Sequence, residues 1–123
     1  MNYTFTTNVH LTKDNMIDIL WGMIHGSSYW SKLCEDGFLW DDARKQLPEA
    51  EIEELLYHVL SIGNAKIIDM QGKTTHQLSM GKLLDGIQRT IDSGRWDGDM
   101  EIADSDLCDY IMQYALFNSI IYN

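Results

Sequence analysis

The feature that most constrains the fold is a segment near the end of the chain that is apolar on nearly every side. Wound as a helix, residues 105–118 place apolar side chains around almost the whole circumference. Only Asp106, Asp109 and Gln113 form a narrow polar stripe along it. A helix with so little polar surface has to be covered by other elements, because apolar area exposed to water is unfavourable. We therefore predict that this helix is central and buried.

Three further segments have the spacing of amphipathic helices, with apolar residues three and four positions apart. The first covers about residues 13–25. The second covers about residues 48–61, with Pro48 in its first turn, where a missing N–H costs nothing. The third begins after Ser79, a suitable N-cap, and ends before Gly94. Together with the apolar helix, the chain is predicted to contain about four helices.

Strand patterns occupy three regions of the chain. Residues 3–9 alternate apolar and polar side chains, which indicates one half-buried strand. The aromatic segment 28–34 suits a second strand, which leads into an acidic connection over residues 35–42. Two short runs within 65–78 flank Gln71-Gly72, which suits a β-hairpin turn. The sequence predicts an α+β fold in which a small antiparallel sheet packs with the helices, in a single domain that spans the 123 residues.

The charge balance narrows the class of partner. The chain has 19 Asp and Glu residues against 9 Lys and Arg residues, which gives a formal net charge of -10. A field of this sign repels phosphate backbones and anionic membrane surfaces, and it attracts basic proteins. We therefore expect no direct binding of nucleic acid or membrane. Because no apolar run approaches the length of a membrane span and no N-terminal leader pattern is present, we expect a cytoplasmic protein.

The sequence contains no recognisable motif for catalysis or cofactor binding. The two cysteines, Cys34 and Cys108, lack C-x-x-C spacing, and the four histidines have no partner at the spacing of a metal site. Glycine-rich phosphate loops and the G-x-S-x-G elbow are absent from the sequence. We expect no catalytic residue, no metal site and no cofactor, and we do not expect an enzyme.

Acidic residues concentrate between residues 92 and 109. The candidate partner-binding residues there are one apolar anchor and five carboxylates, namely Trp96 with Asp97, Asp99, Glu101, Asp104 and Asp106. The same acids also suit a solvated loop before a helix N-terminus, where each stabilises by about 0.3 to 1 kcal/mol. A third interpretation is divalent-metal binding, but an EF-hand needs Gly and Glu where this chain has Ile102 and Cys108.

Four tryptophans are many for this length, and tryptophan both fills cores and anchors interfaces. Trp21 occupies an apolar helical position, which predicts a core residue. Trp40 and Trp96 lie beside acidic residues in predicted loops, which suits a partner that offers an apolar pocket ringed by positive charge. The alternative is that each tryptophan folds back to cover the edge of a small core.

Several short stretches carry a family resemblance. They are Tyr29-Trp30, Leu78-Ser79, residues 82–87, Ala103-Asp104 and residues 110–117. Through them the chain resembles small uncharacterised proteins encoded by phages, plasmids and other mobile elements of Gram-positive bacteria. The resemblance lies mostly in the C-terminal half and carries no catalytic residue. It implies a mobile-element context, in which small acidic proteins often block host defence.

These observations favour an acidic inhibitor of a bacterial defence nuclease, of the anti-CRISPR or anti-restriction type. Its carboxylates would occupy a basic nucleic-acid channel in place of phosphates. One alternative is a small-molecule or nucleotide-signal binder, in which Arg89 or Arg95 meets a phosphate. Another is an interaction module of the mobile element. The small-molecule binder requires a concave pocket, whereas the inhibitor requires an exposed acidic surface.

Overall fold

The computed structural model describes residues 2–6 and 8–123. These residues form an α+β fold of five helices and two small antiparallel sheets. The helices are α1 (Lys13–Gly26), α2 (Phe38–Gln46), α3 (Ile52–Ile62), α4 (Met80–Asp92) and α5 (Ser105–Phe117). The strands are β1 (Asn2–Phe5), β2 (Val9–Thr12), β3 (Ser31–Cys34), β4 (Ala65–Asp69) and β5 (Thr74–Leu78). A short 3₁₀ turn, Met100–Ile102, precedes α5.

The apolar C-terminal helix is central and buried, as the sequence predicts. α5 packs against both α1 and α4. Glycines bring the helices close, because a Cβ at Gly22 would lie 2.4 Å from Cys108 Sγ and one at Gly86 would lie 2.6 Å from the Ile111 carbonyl oxygen. A larger residue at either position would push the helices apart, since protein interiors leave no spare volume.

Side-chain caps fix where the long helices begin. Thr12 Oγ1 accepts a hydrogen bond from the Asn15 N–H at 3.1 Å, while the Asn15 side chain accepts one from the Thr12 N–H at 2.9 Å. Ser79 caps α4 by accepting from the Lys82 N–H at 3.1 Å. α5 ends at Asn118, whose φ of 61° is a left-handed conformation that asparagine tolerates. The caps satisfy N–H groups that have no partner inside the helix.

The larger sheet has the strand order β3-β4-β5. β4 and β5 form a hairpin in which Ala65 lies opposite Leu78. Alternate residues of β4 are buried, so Ala65 and Ile67 face the core while Lys66 faces solvent. The hairpin predicted within residues 65–78 is therefore confirmed.

The N-terminal region differs from the single strand predicted over residues 3–9. It forms a hairpin in which β1 pairs with β2 and Tyr3 lies opposite Leu11. The turn includes Asn8 at a φ of 60°, and Thr7 lies outside the described residues. The turn is not visible in the sequence, because odd-numbered residues are the more buried ones in both β1 and β2. The pattern therefore reads as one continuous strand.

The aromatic segment 28–34 holds a shorter strand than predicted. Only Ser31–Cys34 pairs with β4, whereas residues 28–30 belong to a turn after α1. The Trp30 N–H donates to the Ser27 carbonyl oxygen at 3.0 Å, and the Trp30 side chain is fully buried. Trp30 therefore serves the core rather than strand pairing, while Tyr29 beside it is 46% exposed.

The region after β3 also differs from the prediction. Instead of an acidic connection over residues 35–42, the chain forms α2, which lacks a side-chain cap and buries Trp40 and Ala43. α3 begins at Ile52, and Pro48 lies in the turn before it rather than in its first turn. Neither helix begins with the side-chain cap that would reveal its start in the sequence.

Gly86→Ala is expected to lower the free energy of unfolding by about 1 to 3 kcal/mol, because the added methyl group overpacks the contact with α5. Its Cβ would meet backbone atoms of α5, which cannot rotate away. Gly81→Ala is the matched control on the same helix, because Gly81 is exposed and its Cβ would meet only Ser79 Oγ at 3.8 Å. That change is expected to be neutral or to stabilise by up to about 1 kcal/mol. Urea unfolding measures both variants, and equal stabilities would contradict a close α4–α5 contact.

Candidate functional site

The acidic segment, defined as residues 97–106, lies between α4 and the first turn of α5 and contains the five predicted carboxylates. Asp97 Oδ1 accepts a hydrogen bond from the Asp99 N–H at 2.9 Å, and Asp99 Oδ1 accepts one from the Glu101 N–H at 2.9 Å. Asp104 caps α5 through a 2.9 Å hydrogen bond from a backbone N–H. Three of the carboxylates therefore each use one oxygen to accept a hydrogen bond from the backbone. All five residues remain exposed.

The carboxylates of the acidic segment are not neutralised within the described part of the chain. There, the ion pairs within 4.0 Å join Arg44 to Glu35 and His58 to Asp42. The guanidinium of Arg95, close by in sequence, lies over an aromatic ring of α5 instead. The negative charge of the segment is therefore available to a partner.

Trp96 does not form the exposed apolar anchor that the sequence predicts. Only 3% of the residue is exposed, and its indole N–H donates to the Asp99 carbonyl oxygen at 2.8 Å. Trp40 is also inaccessible, with 2% exposed. Both side chains fold back onto the core, because burying a large indole in a small core is more favourable than leaving it in water.

Trp21, predicted to be a core residue, is instead 50% exposed. Its ring centre lies 4.3 Å from that of His25 on the same helix. The buried residues of α1 are Met16, Ile19, Leu20, Gly22 and Met23. The large residues among them follow the helical spacing i, i+3, i+4 and i+7, and Trp21 falls outside that stripe. The series Ile17, Leu20, Trp21 and Ile24 has the same spacing, so the sequence alone does not show which of the two stripes is buried.

Trp21 lies beside the acidic segment. A cleft of about 290 Å³ is lined by residues of α1, the acidic segment and α5, namely Asp18, Ile19, Trp21, Met100, Ala103 and Cys108. Ile102 of the acidic segment is 57% exposed, so it is an accessible apolar side chain in addition to Trp21 of α1. The structure therefore places Trp21, rather than Trp96, as an exposed tryptophan beside the acidic segment.

Neither a metal-binding cluster nor a reactive Cys108 thiol is found among the described residues of the site. Within residues 2–6 and 8–123, no three His, Cys, Asp or Glu side chains come together in a way that could hold a metal ion. Cys34 and Cys108 are free thiols. Burial, followed by the nearby charge of Asp104, raises the pKa of Cys108 to about 12, so this thiol is unreactive at neutral pH.

The arginines proposed for a nucleotide ligand, Arg89 and Arg95, are absent from the lining of five surface clefts of about 280 to 380 Å³ in the described chain. Arg95 lies over the Tyr110 ring, and its Nε donates to the Tyr114 hydroxyl at 3.4 Å. A phosphate in these clefts would therefore meet neither arginine.

A buried polar network that the sequence did not predict joins α5 to the turn after α1. Asp109 is 5% exposed, and one of its oxygens accepts from the Trp30 indole N–H at 2.7 Å. The other oxygen accepts from the Tyr29 hydroxyl at 2.6 Å and from the Gln113 amide at 3.2 Å. Desolvation and the bond to Asp109 raise the pKa of Tyr29, although nearly half of the residue is exposed. The polar stripe of α5 is thus split, with only Asp106 on the surface.

The network continues into the segment after α5. Gln113 Oε1 accepts from the backbone N–H groups of Ile121 and Tyr122, each at 2.8 Å. The Tyr122 hydroxyl donates to Asp69 Oδ2 at 2.6 Å, and Asp69 Oδ1 accepts from two backbone N–H groups of the β4–β5 turn. The segment after α5 is therefore tied both to α5 and to the larger sheet.

Comparisons with known proteins give no relative from which a site could be transferred. The sequence matches no protein-family model, and no curated protein or solved structure matches the chain. The helices formed by the described residues are too short or too polar to span a bilayer. The candidate site therefore rests on the geometry of this chain.

Asp109→Asn is expected to lower the free energy of unfolding by about 1.5 to 3 kcal/mol, because it removes the charge that strengthens two buried hydrogen bonds and one partly buried hydrogen bond. The matched control is Asp106→Asn, one turn earlier on the same helix. It is expected to cost at most about 1 kcal/mol, since exposed Asp106 only complements the helix N-terminus. Thermal unfolding and solvent exchange of the Trp30 indole proton measure the effect. Asp109→Asn with unchanged stability and unchanged exchange would refute the network.

Asp69 is expected to make stability depend on pH in the acidic range. Burial alone would raise the pKa of this carboxyl, but hydrogen bonds from the Gly72 N–H, the Tyr122 hydroxyl and the Gln71 N–H hold its pKa below the ordinary value of 3.8. Because folding lowers the pKa, the contribution to stability is fully present above pH 3.8. It is lost as the pH falls through the lower pKa of the folded state.

Asp69→Asn should therefore lower the free energy of unfolding by about 1.5 to 3 kcal/mol at neutral pH. The difference from the unmodified protein should narrow once the pH falls below 3.8. Tyr122→Phe removes one of the three hydrogen bonds and should give a smaller change of the same sign. Urea unfolding at a series of pH values measures this, and a difference that does not vary with pH would contradict it.

Proposed function

We propose that this chain is an acidic, protein-binding inhibitor of a bacterial defence nuclease, of the anti-CRISPR or anti-restriction type. The observation that carries the proposal is the proximity of exposed Trp21 to an acidic segment without salt bridges in the described chain. The tryptophan supplies an apolar contact, and the segment supplies charge. The chain acts in the cytoplasm of the bacterial host by binding and not by catalysis.

The charge favours a partner with a basic surface. A nuclease holds DNA or RNA against Lys and Arg side chains that contact phosphates. Carboxylates fixed on an ordered loop can occupy such a channel in place of the nucleic acid. Asp97, Asp99 and Asp104 are held by hydrogen bonds to the backbone, so little conformational entropy is lost when the segment binds.

Trp21 takes the role that the sequence gives to Trp96. Tryptophan is among the residues most enriched at the energetic centre of protein interfaces. Charged contacts at the rim contribute mainly to specificity and association rate, whereas a desolvated aromatic anchor contributes mainly to affinity. Trp21 and the acidic segment together supply both kinds of contact on one surface.

The choice of a nuclease as partner rests on the resemblance to mobile-element proteins. Phages and plasmids meet CRISPR and restriction nucleases when they enter a host, and those enzymes bind nucleic acid through basic channels. This step is an analogy of context, whereas the acidic surface is a property of the chain itself. The experiment therefore has to test the partner class directly.

The proposal predicts stoichiometric and salt-sensitive inhibition. Purified CRISPR effectors and restriction endonucleases are assayed for DNA cleavage with increasing amounts of the chain. Inhibition is expected to be complete near one chain per nuclease, and to weaken as NaCl rises from about 0.05 M to about 0.5 M, because salt screens the charges. The test variant removes five charges but keeps an oxygen acceptor at each position, D97N/D99N/E101Q/D104N/D106N, and should lose inhibition.

The matched control removes five exposed charges elsewhere and has the same net charge, D36N/D41N/E49Q/E51Q/E54Q. It should inhibit as well as the unmodified chain. Trp21→Ala should weaken inhibition by at least about tenfold, because a central tryptophan is a typical hot spot. The proposal is wrong if no nuclease of the panel is inhibited, or if the two five-charge variants behave alike.

A further inference from the structure

A cleft separate from the one beside Trp21 lies between the turn after α1 and the N-terminal half of α5. It has a volume of about 280 Å³ and is lined by Tyr29, Asp106, Asp109, Tyr110 and Asn123. Two aromatic rings and two carboxylates thus meet in one concave surface. Among the described residues, no Lys or Arg contributes to this lining, and none of its members lines the cleft beside the acidic segment.

Asp109 brings a buried carboxylate to the wall of this cleft. Its hydrogen-bond donors are neutral groups of Tyr29, Trp30 and Gln113. No Lys, Arg or His of the described chain lies within salt-bridge distance of it. A carboxylate taken out of water without a counter-charge is incompletely compensated, so a cation placed in the adjoining cleft would interact favourably with it.

Tyr110 already contacts a cation of the chain itself. The central guanidinium carbon of Arg95 lies 4.7 Å from the centre of the Tyr110 ring, within the range of a cation–π interaction. Arg95 is exposed and is not part of the cleft lining. A planar cation thus packs against the Tyr110 ring outside the cleft lining.

We propose that this cleft binds an organic cation, namely an alkylammonium or a guanidinium group. The cation contacts the rings of Tyr29 and Tyr110, while Asp106 and the buried Asp109 balance its charge. The group is that of a free amine or of a Lys or Arg side chain, since both sources present the same chemistry. The cleft shares Asp106 with the acidic segment, but the inference does not depend on a nuclease partner, because it can be tested with small molecules alone.

Other ligand classes fit this lining less well. The two carboxylates repel phosphates and other anions. Calcium takes about six to eight oxygen ligands and magnesium requires a near-octahedral shell, whereas the described residues bring no three metal-binding side chains together. A neutral apolar ligand would leave the carboxylates without a partner.

A titration followed by two-dimensional amide NMR tests the proposal on the full chain. The probes are n-butylammonium and methylguanidinium, and n-butanol is the neutral probe of matched size. Both cations are expected to shift the Trp30 indole N–H and the backbone N–H signals of Tyr29 and Tyr110, with saturation in the millimolar range. The same shifts with n-butanol, or no saturable shift with either cation, would overturn the proposal.

Variants locate the binding site. Asp106→Asn and Tyr110→Leu are each expected to weaken cation binding by about two- to tenfold, since each removes one contact with the cation. Asp85→Asn is the matched control, because it removes an exposed charge from α4 outside the cleft. It should leave the affinity unchanged. Equal weakening by Asp85→Asn and Asp106→Asn would mean that the cations follow net charge alone, and would also overturn the proposal.

Two further arms distinguish the sources of the cation. A short capped peptide with one Lys is compared with the same peptide carrying norleucine at that position. A Lys peptide that binds more tightly than n-butylammonium supports a side chain of a partner protein as the natural occupant, whereas weaker binding supports a free amine. A norleucine peptide that binds as well as the Lys peptide would contradict a cation site.

Discussion

The carboxylate of Asp109 is held out of water, and neutral donors have to replace the hydration that it loses on folding. Those donors come from the turn after α1 and from α5 itself. Gln113 also accepts hydrogen bonds from the segment after α5, and Tyr122 of that segment donates one to Asp69 of the larger sheet. The close contacts at Gly22 and Gly86 already restrict the rotation of this almost wholly apolar helix about its own axis. The need to satisfy these few polar atoms fixes one rotation and ties separate parts of the chain to it.

Two groups of acidic residues in the chain have different physical roles. Asp69 and Asp109 are buried and hydrogen-bonded, so their contribution is to the free energy of folding. The carboxylates of the acidic segment are exposed, and those that bond the backbone use only one oxygen to do so. A net charge of -10 would destabilise a compact chain by self-repulsion if it were concentrated inside. The second group is at the surface, so a change in its charge leaves the hydrogen bonds of the first group undisturbed.

The parts of the fold that were predictable from sequence are those set by local patterns. The burial of α5, the β4–β5 hairpin and the capped starts of α1 and α4 each follow from residues close together in the chain. The β1–β2 turn was missed because buried and exposed residues alternate in the same phase in both strands. α2 was missed because no side-chain cap marks its start in the sequence. Trp21 was predicted to be buried and is exposed. Trp96, for which both an exposed anchor and a side chain folded onto the core were considered, is buried, since burial of a large side chain depends on which elements cover it. The Asp109 network joins positions about 80 residues apart, and its only sequence signal is an Asp and a Gln one helical turn apart in an apolar helix.

The unequal burial of the tryptophans divides the intrinsic fluorescence of the chain into two populations. Trp30, Trp40 and Trp96 are sealed from water, so collisional quenchers reach Trp21 far more readily than these three. Because that indole lies beside the acidic segment, caesium ions accumulate around it while iodide ions are repelled. The ratio of the two quenching constants therefore reports the local electrostatic potential of this surface in the unlabelled protein. Covering the surface with another molecule would remove both the quenching and the asymmetry between the two ions.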